Sequence, residues 1–450
     1  MEKRDSRKRI TSTGIVLIVM LLGMWLTLRL FINPGGSGSG EFNTYRGPVL
    51  PMTCLNGSEG IYVQRNVDFD FGAYRDYAHI STLGKGAARI TDSYILSNTS
   101  GEKKTLELVY GFQGQFIDHP EEFPTITVNG AEIQPELYPS VDTEQLVWSA
   151  HNFTSYSHAL TGNDFLRAAL EESEEMDIPV TVYHFTELTY EGSEIAGFPM
   201  LTLRFSLDEN TSVWTMVAHE HGTEEDGRIR MMFRVDGGEA WVFTFGGKLI
   251  DPEYGGNRDY NISDTSAIDG VTFKLEVYES SLSDALWELA REYDFWSIEG
   301  QDTYPNPGYM TPELLVDGAV KRIRALGYLE PSDKIRMIES LFYQVITEPR
   351  MMYMVFPVEL EPGQSVTVDA SYFQEPSLDI SGPKNYREGY ELATRLGSDL
   401  HFTNLTSSLS NTALVELGRQ NFGFDLENGV TKVTLDLNVD CYYLEIKIKK

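Results

Sequence analysis

The residues best placed to do chemistry begin with His219-Glu220-His221. On a strand, side chains repeat every two residues, so His219 and His221 are expected on one face. Two imidazoles side by side can hold Zn²⁺ or Cu²⁺ if a third ligand arrives from elsewhere. The competing expectation is an exposed histidine pair without metal, since a polar loop, Gly222 to Asp226, follows at once. A second oxygen-rich stretch runs from Asp251 to Asp269 and includes Asp259, Asn261 and Asp264. Ca²⁺ is bound by such oxygens, but the EF-hand template fails, with Asp264 where glycine is required and Gly270 where glutamate is required. An irregular Ca²⁺ loop competes here with a simple solvated loop.

Nucleophilic catalysis finds little support. Ser100-Gly-Glu-Lys103 and Ser381-Gly-Pro-Lys384 match Ser-x-x-Lys, a motif that needs a helix to aim both side chains at one point. The first falls in a turn-rich stretch and the second contains Gly-Pro. No Gly-x-Ser-x-Gly elbow and no phosphate-cradling Gly-x-x-x-x-Gly-Lys occurs. Paired carboxylates can hydrolyse glycosides, but a chain with 67 acidic residues offers too many pairs to select one. Trp148, Trp214, Trp241, Trp287 and Trp296 could stack on sugars, although strand and helix spacing favours the core.

Cys54 and Cys441 are the only cysteines of the 450 residues. In an oxidising exterior they could pair if the chain's ends meet, against the default of two buried free thiols, since large domains do not need a disulfide. Six Asn-x-Ser/Thr sequences, at Asn56, Asn98, Asn152, Asn210, Asn261 and Asn404, are glycan acceptors only in a eukaryotic secretory route.

The elements that position these residues start with an apolar run. Residues 10–32 are long enough to cross a bilayer as a single helix. Lys3, Arg4, Arg7, Lys8 and Arg9 precede the run and place residues 1–9 in the cytoplasm by the positive-inside rule. Arg29, near the outer end, can snorkel to the headgroups. A cleaved signal peptide is the alternative, disfavoured by Leu30, Phe31, Asn33 and Pro34 where small residues would be needed. Residues 33–45 contain Gly35-Gly-Ser-Gly-Ser-Gly40, a flexible tether. The chain carries −31 net. Six basic and two acidic residues precede Pro34, leaving 30 basic and 65 acidic after it, a net −35. That charge repels nucleic acid and anionic lipid, so neither is expected as a partner of the exterior.

The exterior reads as mainly β, in the strand-and-turn grammar of an immunoglobulin-like β-sandwich. Val67, Phe69 and Phe71 alternate with Asp68 and Asp70. Residues 89–96 and 105–112 look like a hairpin across 97–102. Thr125–Val128, Asn129-Gly130 and Ala131–Ile133 carry the type I′ signal. The expected units are 46–140, a first sandwich region; 141–281, a second β-rich region with a helix near 164–176; 282–348, an inserted helical segment; and 349–450, strands with one helix at 386–396. Within the helical segment, Thr311-Pro312 marks an N-cap and first position, Gly327 a stop, and Pro331 the start of another helix to about Ile346. Met351 to Phe356 reads as a central strand buried on both faces, and the last strands are expected to pack back on the first.

With catalytic signatures missing, these features point to a membrane-anchored extracytoplasmic protein that binds or assembles at the cell surface. Its partner would be a protein or a glycan, and no cofactor is required beyond Ca²⁺ or Zn²⁺ at the residues named. An envelope-acting hydrolase using acidic residues is the runner-up. A sensing subunit is the third reading, and the short cytoplasmic tail would oblige it to signal through a membrane complex.

Overall fold

The computed structural model describes residues 44–75, 86–116, 118, 120–140, 152–160, 164–170, 176–192, 198–216, 218–258, 267–292, 311–329, 335–379 and 387–449. The apolar run at 10–32 expected to be an anchor, the basic residues before it and most of the expected tether lie outside these residues. No helix among the described residues is long and apolar enough to cross a membrane.

The chain is mainly β, with several sheets. It begins with β1 (Thr53–Cys54), β2 (Ile61–Asp70), β3 (Ala88–Asn98), β4 (Lys104–Gly114), β5 (Thr125–Val128), β6 (Ala131–Glu132) and β7 (Glu136–Pro139). The alternation in β2 buries Val63, Val67 and Phe69, with Phe71 just beyond, against one layer. Asn129 and Gly130 take φ of 51° and 77°, both positive as a type I′ turn requires, and β5 pairs with β6.

Two helices follow, α1 (Phe153–Leu160) and α2 (Asp164–Leu170). The next strands are β8 (Pro179–Tyr190), β9 (Pro199–Ser206), β10 (Ser212–Met216), β11 (Ala218–Thr223), β12 (Ile229–Arg234), β13 (Ala240–Phe245), β14 (Ile250–Arg258), β15 (Ala267–Ile268) and β16 (Val271–Ser281). They form two five-stranded sheets, β16-β8-β13-β10-β17 and β11-β12-β9-β14-β15, where β17 is Ile335–Met337. Phe185 of β8 meets Phe233 of β12 and Tyr254 of β14, so the sheets face one another. The opposite face of the first sheet, with Val182, Trp214 and Phe243, shares a core with α3 (Leu282–Glu292), α4 (Pro312–Ala325) and α5 (Ile338–Thr347). Burial on both faces explains why β13 is apolar at every position but Thr244.

The last strands are β18 (Arg350–Leu360), β19 (Ser365–Gln374), β20 (Ser377–Asp379), β21 (Arg387–Ala393), β22 (His401–Ser410), β23 (Val415–Gln420), β24 (Lys432–Thr434) and β25 (Cys441–Ile448). They return to the first ones as expected. The seven-stranded sheet is β24-β22-β2-β3-β19-β5-β6, and β18 lies between β4 and β7 in β1-β4-β18-β7. Met351 to Phe356 are all buried there. The four-stranded sheet β20-β21-β25-β23 completes the layer opposite the seven strands, where Phe69 meets Tyr390 and Phe422. Residues 46–140 and 349–450 therefore share sheets instead of forming successive units.

Four local expectations are corrected. Strands β3 and β4 do not pair: β3 lies between β2 and β19, and β4 between β1 and β18. Their connection is an arch between layers, held by Asn98, whose Nδ2 donates to Glu102 O at 2.8 Å and Leu360 O at 3.1 Å. Asn98 is 1% exposed with its amide engaged, so it is no accessible glycan acceptor. Residues 387–393 form β21, a strand and not a helix, because pairing with β20 and β25 buries all but its first residue. The start of the helix expected at Pro331 lies outside the described residues, and 335–337 pair in parallel with β10 before α5 begins at Ile338. The first half of the oxygen-rich loop is β14, paired with β9. By contrast α4 starts as read, with the Thr311 side chain accepting from Leu314 N at 3.3 Å.

Candidate functional site

The residues singled out from sequence do not converge. His221 is exposed on β11, and the side chain of His219 lies outside the described residues. The β11–β12 register shifts between Ala218 and Glu220, which interrupts the period of two inside the motif. Asp251 is exposed with φ of 47°, and its carbonyl accepts from Arg228 Nη2 at 3.0 Å. Asp259, Asn261 and Asp264 lie outside the described residues. Among the described residues no group of three or more His, Cys, Asp or Glu side chains is arranged to hold a metal.

Cys54 and Cys441 are both buried and free, in different core clusters, so of the two readings the structure has the pair of buried thiols and not the disulfide. Burial pushes both thiols up, Cys441 strongly so and further raised by Glu391 beside it. Trp214 and Trp241 are core residues. Ser100 sits in the arch, its hydroxyl donating to Asn98 Oδ1 at 2.6 Å, which leaves no nucleophile aimed by a helix.

A polar pocket appears elsewhere, where the incoming segment at 46–48 passes the ends of β4 and β19. Its lining includes Arg46, Gln113, Asp118, Glu122, Gln374 and Glu375, with Phe112, Tyr372 and Phe373 as aromatic walls. The cavity is about 40 Å³, more than the roughly 10–15 Å³ that one water needs on the same measure. Two glycines allow this closeness. Gly47 holds φ of +72°, and a Cβ there would lie 3.0 Å from Gln113 Oε1. A Cβ on Gly114 would lie 3.2 Å from the Phe112 ring and 3.4 Å from Asp118 Oδ2.

The polar groups are arranged so that acceptors remain. Gln113 Nε2 donates to Tyr45 O at 3.5 Å, and Gln374 Nε2 to Gly47 O at 3.2 Å. Each amide nitrogen must face a carbonyl, so each Oε1 is fixed as an acceptor by its network. Neither Oε1 has a hydrogen-bond partner among the described residues. Asp118 Oδ2 accepts from Gln115 N at 2.6 Å, while Oδ1 has no partner among them, and Asp118 is only 5% exposed. Arg46 pairs with Glu375, and its backbone N–H donates to Ser377 Oγ at 3.0 Å. Buried polar atoms are seldom left unpaired, and these three oxygens are sealed within the walls around the pocket.

Burial pushes the Asp118 carboxyl up to about 6, against the opposing pull of Arg46. A carboxyl with a raised folded pKa holds its proton more tightly when folded. Its favourable contribution is present below the unfolded value near 3.8 and is lost as pH rises through about 6. Asp118→Asn is therefore expected to stabilise the fold by ~2 kcal/mol at pH 7.5 and to gain nothing at pH 3.5. Urea midpoints at both pH values check this, and an equal change at both would refute it.

Sequence reasoning missed this site because its parts come from 46–48, 112–122 and 372–375. The one local signal is a repeated Phe-Gln, Phe112-Gln113 and Phe373-Gln374, which ends two apolar runs on a polar step. No protein-family model matches the chain, and no curated protein matches it.

Proposed function

We propose that this is a membrane-anchored, extracytoplasmic protein with a non-catalytic binding or assembly role at the cell surface. The observation that carries binding is the polar pocket lined by Arg46, Gln113, Asp118, Glu122, Gln374 and Glu375 between aromatic walls. The location rests on the run at 10–32 with its basic flank, and on the Gly-Ser tether that gives the exterior reach. The sandwich layers suit an immunoglobulin-like role, in which a rigid β scaffold presents a site built at its strand ends and loops.

The full-length chain is expected to stay in the membrane fraction after an alkaline carbonate wash and to be shaved by protease from intact cells. It is also expected to retain peptides or glycans from a defined panel, and Asp118→Asn is expected to lose that retention at least tenfold. Release by carbonate would overturn the anchor, and equal retention by the variant would overturn the pocket.

One observation favours the hydrolase as a second reading. Asp118, with its carboxyl pushed up to about 6 by burial, has the Glu122 carboxyl within hydrogen-bond reach, and glycoside hydrolysis uses two carboxyl groups in different roles. Turnover of an envelope glycan, abolished by both Asp118→Asn and Glu122→Gln, would decide for that reading.

A further inference from the structure

We infer that the exterior rests its tether-side end on the anionic headgroups of the membrane that anchors it, through Arg75, Lys447 and Lys449. The inference rests on the anchored reading above and names a lipid surface as the partner of that end.

The end is set by where the chain enters the fold. Thr44 bridges Leu378 of β20, Leu378 lies opposite Glu388 of β21, and Glu388 lies opposite Ile446 of β25. Thr44 is therefore level with Ile446 and three strand spacings from it, ~14 Å. Lys447 and Lys449 follow Ile446 directly. The entry is held firmly, since Thr44 and Leu378 exchange backbone bonds of 3.0 and 2.8 Å and the Tyr45 hydroxyl donates to Glu391. Residues 34–43, between this point and the expected anchor, span at most ~35 Å. This end is thus the one that the anchor keeps beside the bilayer.

Three segments meet there. Phe71 N donates to Ser410 O at 3.1 Å, Lys449 N to Leu414 O at 2.9 Å, and the Arg75 guanidinium to Lys449 O. Arg75, Lys447 and Lys449 are exposed, and among the described residues none of them forms an ion pair. The acids around them are largely engaged. Asp379 pairs with Arg387, Glu445 with Arg419 and Arg387, and Glu388 accepts from the Tyr74 hydroxyl at 2.8 Å. Asp70 accepts from Gly72 N and Asn411 Nδ2 and lies opposite Arg89. Glu416, opposite Lys447, stays exposed. The other end of β25 has the reverse balance, with Asp399, Asp436 and Asp440 exposed beside Arg395.

As a whole the exterior repels anionic lipid. Charges are screened beyond about 8 Å at physiological ionic strength, however, so the face held nearest the bilayer decides. Each Lys or Arg brought to an anionic surface adds attraction, and the acidic far end is turned away from the bilayer by the same field.

The test is energy transfer from a dye on the full-length chain to an acceptor lipid in reconstituted vesicles. Cys54 and Cys441 are buried, so the dye goes to Ala413→Cys beside the basic end or to Asn438→Cys at the acidic end. Transfer from Ala413→Cys is expected to be about twofold higher in vesicles containing phosphatidylglycerol than in phosphatidylcholine alone, and higher than from Asn438→Cys. Lys447→Gln with Lys449→Gln should erase the difference between lipids. So should 1 M salt, where screening acts within about 3 Å, and that arm needs no charge variant. Equal transfer in both lipids, with the chain still in carbonate-washed vesicles, would overturn the docking and leave the anchor standing. Loss of the chain on washing would remove the anchor and this inference with it. Higher transfer from Asn438→Cys in the anionic vesicles would overturn the orientation. Tight binding of soluble polyphosphate with equal transfer in both lipids would assign the basic end to a soluble acidic polymer instead.

Discussion

Replacing Arg65 with methionine is expected to cost the fold about 3–5 kcal/mol, the usual penalty for breaking a buried ion pair by removing one partner. Arg65 and Asp92 are both fully buried. The guanidinium donates through Nε to Asp92 Oδ1 at 2.9 Å and through Nη2 to Oδ2 at 2.7 Å. Burial alone would pull its pKa down, but Asp92 outweighs that and holds Arg65 charged. The remaining donors reach Ala393 O at 2.7 Å and Leu50 O at 3.0 Å. Leu50 lies in the segment that enters β1 and Ala393 ends β21, and the bridge between Val49 and Leu392 brings them together. Arg65 thus ties that segment to the end of β21. The double variant Arg65→Met/Asp92→Leu should recover only part of the loss, because both carbonyls stay unsatisfied. Denaturant midpoints for the single and double variants measure this. A single-variant loss below about 1 kcal/mol would show that the pair holds nothing together.

How far the sequence discloses this arrangement depends on the range of the forces involved. The alternation at 61–71 is legible because one face of β2 is buried and the other wet. The turn at Asn129-Gly130 is legible because only a few residue types accept two positive φ values. The start of α4 at Thr311-Pro312 is legible because a cap acts within four residues. Residues 387–393 mislead for the opposite reason. Glu388, Glu391, Leu392 and Ala393 favour a helix locally, yet β20 and β25 pair on either side and override that preference. Likewise a turn-rich stretch such as 97–103 looks the same in a hairpin and in an arch, and only the distant partners decide. The site lies further out of reach. Asp118 stands out only by its burial and its unpartnered Oδ1, and Gln113 and Gln374 only by where their amide nitrogens are already engaged. Those facts arise when Arg46, β4 and β19 meet, and no local spacing encodes them.

A chain ending at residue 348 is expected to lose the first sandwich entirely while keeping the second. The reason lies in which strands neighbour which. Removing 349–450 takes β22 from β2, β19 from β3 and β5, and β18 from β4 and β7. The hairpin of β5 and β6 would be left alone, and β2 and β3 would remain as an isolated pair, which is marginal in water. Phe69 would lose Tyr390 and Phe422, and Tyr110 would lose Tyr372. In contrast β8 to β16 lie within 179–281, and their two sheets keep every partner. Helices α3, α4 and α5 still cover the outer face through Leu286, Ile323 and Phe342. Hydrogen exchange should therefore show protected amides in β8, β9, β12 and β13 of the shortened chain and unprotected amides in β2, β3 and β4. The full-length chain should protect both sets. Protection of β2 and β3 in the shortened chain would mean that 46–140 is an independent unit after all. Loss of protection in both sets would mean that the second sandwich depends on the first through the core shared by Phe116, Ile346 and the helices. Phe116 N donates to Ile346 O at 3.0 Å and Arg350 Nη2 to Val345 O at 2.6 Å, and around these bonds the join is an apolar core. An apolar join adds stability to each half without directing its strand pairing, so the second sandwich should retain its fold when the first is gone.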